Sequence, residues 1–159
     1  MINAHRFQRG FSIVEVLVAL VVLAVGMLGM AGLYVTTLRS SGSAISRMQA
    51  VNLAADMADR IRANRFAKGV YATQTPALQA CVEEGDCTRE QMAANDLFVW
   101  QKQIDDLLPG EEPNGRVQYT AGTATTPDNY TITVTWAEAE GGGNIDGDLR
   151  YVLTMQVDP

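Results

Sequence analysis

An acidic residue lies close to the start of a long apolar segment, in the stretch RGFSIVEVLVALVVLAV at residues 9–25. Glu15 is followed by twenty residues, 16–35, that include no charge, Asn, Gln or Pro. Twenty helical residues rise by about 30 Å, which is the hydrocarbon thickness of a bilayer. A carboxylate at the centre of such a helix costs roughly 2.5–3.5 kcal/mol, and less near the interface. Glu15 is therefore either an ordinary residue at headgroup level or a functional acid that meets a positively charged partner.

The other side chains that could carry chemistry are two cysteines and one histidine. His5 precedes the apolar segment, so the rest of the chain has no histidine for a catalytic triad or a metal site. Cys81 and Cys87 alone are too few for zinc, which takes four ligands, and their spacing is not C-x-x-C. Outside the cytoplasm we expect them to form a disulfide, worth about 2 kcal/mol for a seven-residue loop. These residues predict a protein that is not an enzyme and that holds no metal or cofactor.

A weak metal-binding pattern lies near the C-terminus, where Asn144, Asp146 and Asp148 imitate the start of a calcium loop. The sixth and twelfth positions of such a loop should be glycine and an acid, but here they are Leu149 and Met155. We therefore expect the segment GGGNIDGDL, residues 141–149, to be a flexible hairpin loop and not a calcium site.

The chain is acidic, with a formal net charge of −6. Beyond residue 10 there are 10 Lys and Arg against 18 Asp and Glu, which is a net charge of −8. Proteins that bind nucleic acid contact its phosphates with Lys and Arg. We therefore expect no nucleic-acid partner.

After the apolar segment the helix is predicted to continue to about residue 66, because residues 39–66 hold no Pro and only one glycine. Apolar residues at three- and four-residue steps predict one stripe along it: Ile45, Met48, Val51, Ala54, Ala55, Ala58 and Ile61. Asp56 precedes Arg60 by four residues, which is the favoured order for a helical ion pair. The basic residues that follow indicate either a solvated helix end or a docking patch for an acidic neighbour: Arg60, Arg62, Arg65 and Lys68.

A second helix and a sheet are predicted in the remainder of the chain. Thr88 and Gln91 have the T-x-x-Q spacing of a capping box, and Pro109 and Gly110 end the helix that it starts. Trp100 is expected to be a core anchor against the first helix rather than a binding aromatic. The expected apolar face of this helix is Met92, Ala93, Leu97, Trp100, Ile104 and Leu107. Alternating apolar residues in YTITVTW and RYVLTMQV predict an antiparallel meander with one face on the helices.

The first ten residues, MINAHRFQRG, form a short basic leader whose last glycine precedes Phe11, with Glu15 five residues after that glycine. The set G-F-S-I-V-E followed by the apolar run resembles the type IV pilin family. The resemblance implies cleavage after Gly10 by the prepilin peptidase, N-methylation of Phe11, and a meeting of Glu15 with the amine of a neighbouring subunit during assembly. A secretory signal peptide is the rival interpretation, but its apolar region has only about 7–15 residues and ends in an A-x-A-like site.

The order of the predicted elements also resembles a pilin, which implies an α+β fold. We expect a long N-terminal helix, transmembrane in its first half, on a small antiparallel sheet with a second short helix. The expected divisions are a leader at residues 1–10, a transmembrane or filament-core helix at 11–38, and a periplasmic head at 39–159. Within the head, the disulfide loop and second helix are expected at 70–108 and the sheet at 116–158.

Several downstream segments resemble minor pilins, namely LVALVVLAVGMLGMAGL, ADMADRIRANR, NDLFVWQ and YTITVTW. The resemblance implies a non-catalytic subunit that is held in the inner membrane and then enters the pilus near its tip. The implied partners are the prepilin peptidase, other minor pilins, the major pilin, and membrane lipid before assembly. A minor pseudopilin of a type II secretion system and a membrane-anchored binding module remain the alternatives.

Overall fold

The computed structural model describes residues 10–139 and 145–158. The chain divides into two compact units, Met1–Gly42 and Ser43–Pro159, and we call the second unit the head. The predicted α+β, pilin-like fold is confirmed. The elements are α1 (Ile13–Ala63), a 3₁₀ turn (Arg65–Ala67), α2 (Val70–Thr73), α3 (Cys81–Glu84), α4 (Arg89–Leu107), β1 (Asn114–Thr120), β2 (Asp128–Ala139) and β3 (Ile145–Val157).

The N-terminal unit consists of an apolar helix whose side chains are exposed. Helix α1 begins at Ile13, and the hydroxyl of Ser12 accepts a hydrogen bond from the backbone N–H of Val14 at 3.3 Å. Every large apolar side chain from Val16 to Leu38 is at least 49% exposed. By its length and composition, this helix can cross a membrane.

In the head, α1 buries a face that differs in part from the predicted stripe. Three predicted residues are fully buried: Ala54, Ala58 and Ile61. The prediction was wrong for the other four, which are exposed: Ile45, Met48, Val51 and Ala55. A helix turns by about 100° per residue, so the nine residues from Ile45 to Ala54 put these two side chains on opposite sides. The core face is completed instead by Ser46, Ala50, Leu53 and Met57.

Helix α1 ends at Ala63, three residues before the predicted position, and the chain continues into the 3₁₀ turn. The two short helices α2 and α3 were not predicted. Each has four residues, little more than one helical turn, which is too short to leave a periodic pattern in the sequence.

Helix α4 begins and ends where the sequence predicts. The Thr88 hydroxyl accepts a hydrogen bond from Gln91 N at 3.2 Å, and Thr88 N donates to Gln91 Oε1 at 2.9 Å, which completes the capping box. Trp100 is 1% exposed and donates from Nε1 to the carbonyl of Leu53 on α1 at 2.8 Å, so it anchors the core as predicted. Leu107 was predicted to be buried but is exposed. Leu108, which leaves the helix with an extended backbone, is buried in its place.

The three strands form an antiparallel meander in the order β1-β2-β3, as predicted. Helix α4 lies directly against β1 at Gly115, where a Cβ atom would collide with Trp100 and Ile104. The close approach therefore requires glycine at this position. The predicted alternation of β2 is confirmed, because its inward residues are at most 4% exposed: Tyr130, Ile132, Val134 and Trp136.

The prediction of a hairpin loop at residues 141–149 was wrong from residue 145 onward. Strand β3 begins at Ile145, because its pairing with β2 continues past Trp136 to Ala139 with one register shift. Residues 140–144, which include Asn144 of the calcium-like pattern, lie outside the described residues. The side chains of Asp146 and Asp148 are likewise outside the part of the head that the structure describes.

Candidate functional site

The predicted processing and assembly residues lie at the start of α1. Gly10 and Phe11 precede the helix, and Phe11 is 84% exposed. Glu15 lies in the first turn, where the helix dipole favours a negative charge. Phe11 and Glu15 line one groove on the surface of this unit, which is otherwise apolar and formed by Val16, Ala19, Leu20 and Leu23. The structure thus brings Phe11 and Glu15 to the same face, while leader residues 1–9 lie outside the described residues.

This face suits a charge pair with an amine. Glu15 forms no ion pair with any residue that the structure describes. A carboxylate among apolar groups is stabilised by a positively charged partner that also donates hydrogen bonds. Cleavage after Gly10 would create such a group at the nitrogen of Phe11. An N-terminal unit cleaved at that position would carry both an acid and an amine at one end of an apolar helix.

The predicted disulfide between Cys81 and Cys87 is confirmed, with the two Cα atoms 5.0 Å apart. Helix α3 lies inside the loop that the bond closes. Cys87 directly precedes Thr88, which caps α4, so the bond restrains the start of that helix. The two cysteines are thereby structural, and neither is a free thiol.

A polar network joins α1, α2 and α4 in the head. Arg60 Nε lies 2.8 Å from Asp56 Oδ2, as the four-residue spacing predicts, and Arg60 Nη1 donates to Asp96 Oδ1 at 3.1 Å. The Tyr71 hydroxyl donates to Asp96 Oδ2 at 2.6 Å. Arg60 therefore links α1 to α4 within the head. The prediction of a solvated helix end was wrong for this member of the basic cluster.

Two side chains of the network, Arg60 and Tyr71, have raised pKa values. Burial alone would lower the pKa of Arg60, but its hydrogen bonds and charge interactions with Asp56 and Asp96 outweigh burial and raise it. Burial, and then the hydrogen bond to Asp96, raise the pKa of Tyr71. Tyr71 therefore remains a neutral hydrogen-bond donor throughout the physiological pH range.

Replacing Tyr71 by phenylalanine is expected to destabilise the head, while the same change at Tyr130 is not. Tyr71→Phe removes a hydrogen bond to a carboxylate and should lower the free energy of unfolding by about 1.5–3 kcal/mol. Tyr130 is fully buried, and its hydroxyl finds no hydrogen-bond partner among the described residues. Tyr130→Phe should leave the free energy of unfolding unchanged or raise it, because it removes an unpaired buried polar group.

Urea unfolding of the full chain in detergent, followed by tryptophan fluorescence, checks this pair of variants. Trp100 and Trp136 are the only tryptophans, and both are buried in the head, so the signal reports the head alone. Equal losses of stability in the two variants would contradict the assigned network.

No group of three or more His, Cys, Asp or Glu that could hold a metal ion occurs in the described ranges, 10–139 and 145–158.

Two family models match the chain. A prokaryotic N-terminal methylation motif matches residues 5–31, which include Gly10, Phe11 and Glu15. The type IV pilin Tt1218 model matches residues 32–98, which include the polar network and the disulfide. Comparisons with curated proteins and with solved structures found no significant match.

The two matches support the type IV pilin superfamily as the class of this protein, a pilin or pseudopilin structural subunit. Residues 32–98 are similar to the Tt1218-like type IV pilins. The methylation motif implies processing by a prepilin peptidase and assembly with other pilins, and together with the apolar helix it fits membrane anchoring followed by incorporation into a pilus.

Proposed function

We propose that this protein is a minor pilin of the type IV pilus, a non-catalytic subunit that contributes to pilus initiation or assembly together with other minor pilins. The observation that carries the proposal is the N-terminal arrangement. An exposed apolar helix begins with Phe11 and Glu15 on one face, within a matched methylation motif. The downstream segments that resemble the type IV pilus modification protein PilV favour the minor-pilin role over that of the major subunit.

The proposal assigns a step to each N-terminal residue. The prepilin peptidase cleaves after Gly10 and methylates the new amine of Phe11. The apolar helix then holds the protein in the inner membrane with its head in the periplasm, an oxidising compartment that suits the Cys81–Cys87 disulfide. During assembly, Glu15 meets the amine of a neighbouring subunit, and the protein enters the pilus near its tip.

Deletion of the gene, with the wild-type gene restored as the control, tests the proposal. Sheared pili are expected to be lost or strongly reduced, while exported enzymes still leave the cell. The two measurements are the amount of major pilin in the sheared fraction and the enzyme activity in the culture medium. Intact pili with a loss of exported enzymes would contradict the proposal and would indicate a pseudopilin of a type II secretion system.

A further inference from the structure

The 3₁₀ turn that follows α1 and the start of α4 form an exposed surface on which an aromatic ring lies between two arginines. Phe66 is 57% exposed, and the guanidinium carbons of Arg65 and Arg89 lie 4.8 Å and 5.1 Å from the centre of its ring. We call these three residues the basic–aromatic patch. Neither guanidinium forms an ion pair within the described part of the chain. Arginine and aromatic side chains are enriched in protein interfaces, and unpaired guanidinium groups match carboxylates.

A cleft of about 340 Å³ adjoins the basic–aromatic patch and shares Arg89 with it. Its other walls include the apolar side chains of Ala63 and Met92, Cys87 of the disulfide, and the ion pair of Arg60 with Asp96, in which the carboxylate is already neutralised. The surface thus combines two guanidinium groups that form no ion pair, an exposed aromatic ring and a neighbouring cleft. This combination suits a partner segment that is both acidic and apolar. That segment should carry carboxylates on both sides of an apolar side chain.

The opposite end of α4 carries this combination. Carboxylates precede and follow Leu107, which is 47% exposed. We call residues 105–112 the acidic segment, and the nearest basic residue in the chain before it is Lys102. In the described structure none of its carboxylates forms an ion pair. The exposed carboxylates of the segment are Asp105, Asp106, Glu111 and Glu112.

The acidic end of α4, and Arg89 at its start, carry charges of the sign that the helix dipole disfavours. The dipole favours acids at the start of a helix and bases at its end. The first turn of α4 holds Arg89 beside the favourable Glu90, and its last turn includes Asp105 and Asp106 and no base. Within one head this arrangement opposes helix stability. Between two heads it is favourable when the acidic end of one α4 lies against the basic end of another. Charges that break a local rule without a local gain are expected at functional surfaces.

We propose that the basic–aromatic patch docks the acidic segment of a second copy of this chain. The carboxylates pair with Arg65 and Arg89, and Leu107 lies against Phe66 and the cleft. The contact joins two different surfaces, so a pair of heads leaves one patch and one acidic segment free. The inference rests on the proposed function, because it takes the neighbouring head to be a subunit of the same assembly.

Photo-crosslinking in intact cells tests the contact with the full-length protein. Phe66 is replaced by benzoylphenylalanine, which keeps an aromatic ring at that position, and a control chain carries the same residue at Val152, which is 46% exposed on β3. Illumination of the Phe66 chain should yield a covalent dimer of this protein. Mass spectrometry should locate the crosslink in the tryptic peptide of residues 103–116, and the Val152 chain should give no such product.

Charge reversal then tests the chemistry of the contact. Arg65→Glu with Arg89→Glu should lower the dimer yield by about tenfold, because acids would face acids. Adding Asp105→Lys and Asp106→Lys to the same chain restores complementary charges and should restore most of the yield. Arg116→Glu with Arg150→Glu changes the net charge equally at exposed positions and should leave the yield unchanged.

Three results would overturn the contact: a crosslink from position 66 to a different polypeptide, a dimer yield that the Arg65 and Arg89 reversals do not change, or no crosslink at all. The crosslink is measured in membranes and in sheared pili separately. A chain that crosslinks in membranes but is absent from pili would refute the proposed function and not the contact. A chain that is present in pili without the dimer would refute the contact alone.

Discussion

Replacing Glu15 by valine is expected to remove this protein from assembled pili while leaving it inserted and processed. The substitution takes a charge out of an apolar run, so membrane insertion should be unharmed or improved. Leader cleavage should persist, because the cut after Gly10 lies five residues upstream. Methylation of Phe11, entry into the filament, or both should fail, because neither step would have its acid.

Glutamine at position 15 separates charge from shape. Glu15→Gln keeps the side-chain length and its hydrogen-bonding capacity, but it cannot neutralise an ammonium group. We expect it to be impaired nearly as much as Glu15→Val. The measurement is the amount of this protein in sheared, purified pili relative to the membrane pool. Wild-type incorporation of both variants would mean that Glu15 is an ordinary residue at headgroup level.

Replacing Gly10 by leucine is expected to block leader cleavage, so that the protein stays in the membrane with its leader attached. The prepilin peptidase of the family that this N-terminus resembles acts at such a glycine. The structure separates this effect from misfolding, because a Cβ atom at Gly10 would meet nothing within 4 Å. A failure of leader cleavage would therefore result from lost recognition by the peptidase and not from a clash within the protein.

Gly42→Leu is the matched control, because Gly42 also has open space where its Cβ would be. Mass spectrometry of the N-terminus distinguishes the two variants. The Gly42 variant should begin at a methylated Phe11, and the Gly10 variant should keep residues 1–10. A methylated Phe11 in the Gly10 variant would refute the assigned cleavage site.

The parts of the fold that could be predicted are those with a local signal. The capping box of α4 needs only Thr88 and Gln91, three residues apart, and the inward face of β2 follows from alternation alone. The apolar spacing on α1 predicted the buried residues Ala54, Ala58 and Ile61 correctly, but the predicted stripe began too early in the helix. Steps of three residues fall about 60° short of a full turn each time, so Val51, Met48 and Ile45 lie about 60°, 120° and 180° from the buried Ala54 and outside the core.

The polar network could not be predicted because its members meet only in the folded head. Asp96 lies 36 residues from Arg60 and 25 residues from Tyr71 in the chain. A single sequence offers no rule that pairs them before α1, α2 and α4 are placed together. For the N-terminal site, physical chemistry alone allowed two roles for Glu15, an ordinary residue at headgroup level or a functional acid. The resemblance to pilins narrowed that choice, and the assigned roles of Gly10, Phe11 and Glu15 stay predictions.

The buried face of α1 in the head has a consequence for the nascent chain. Leu53 and Met57 are at most 5% exposed in the finished protein, but Trp100, which covers this face, is made 47 residues after Leu53, and Met155 of the same core is made later still. At about 5–20 residues per second, the wait between Met57 and Met155 is roughly 5–20 s. During that interval the apolar face has only part of the core that covers it in the finished protein. Chaperones that hold emerging segments should therefore influence the yield of this protein more than the stability of the molecules that complete folding.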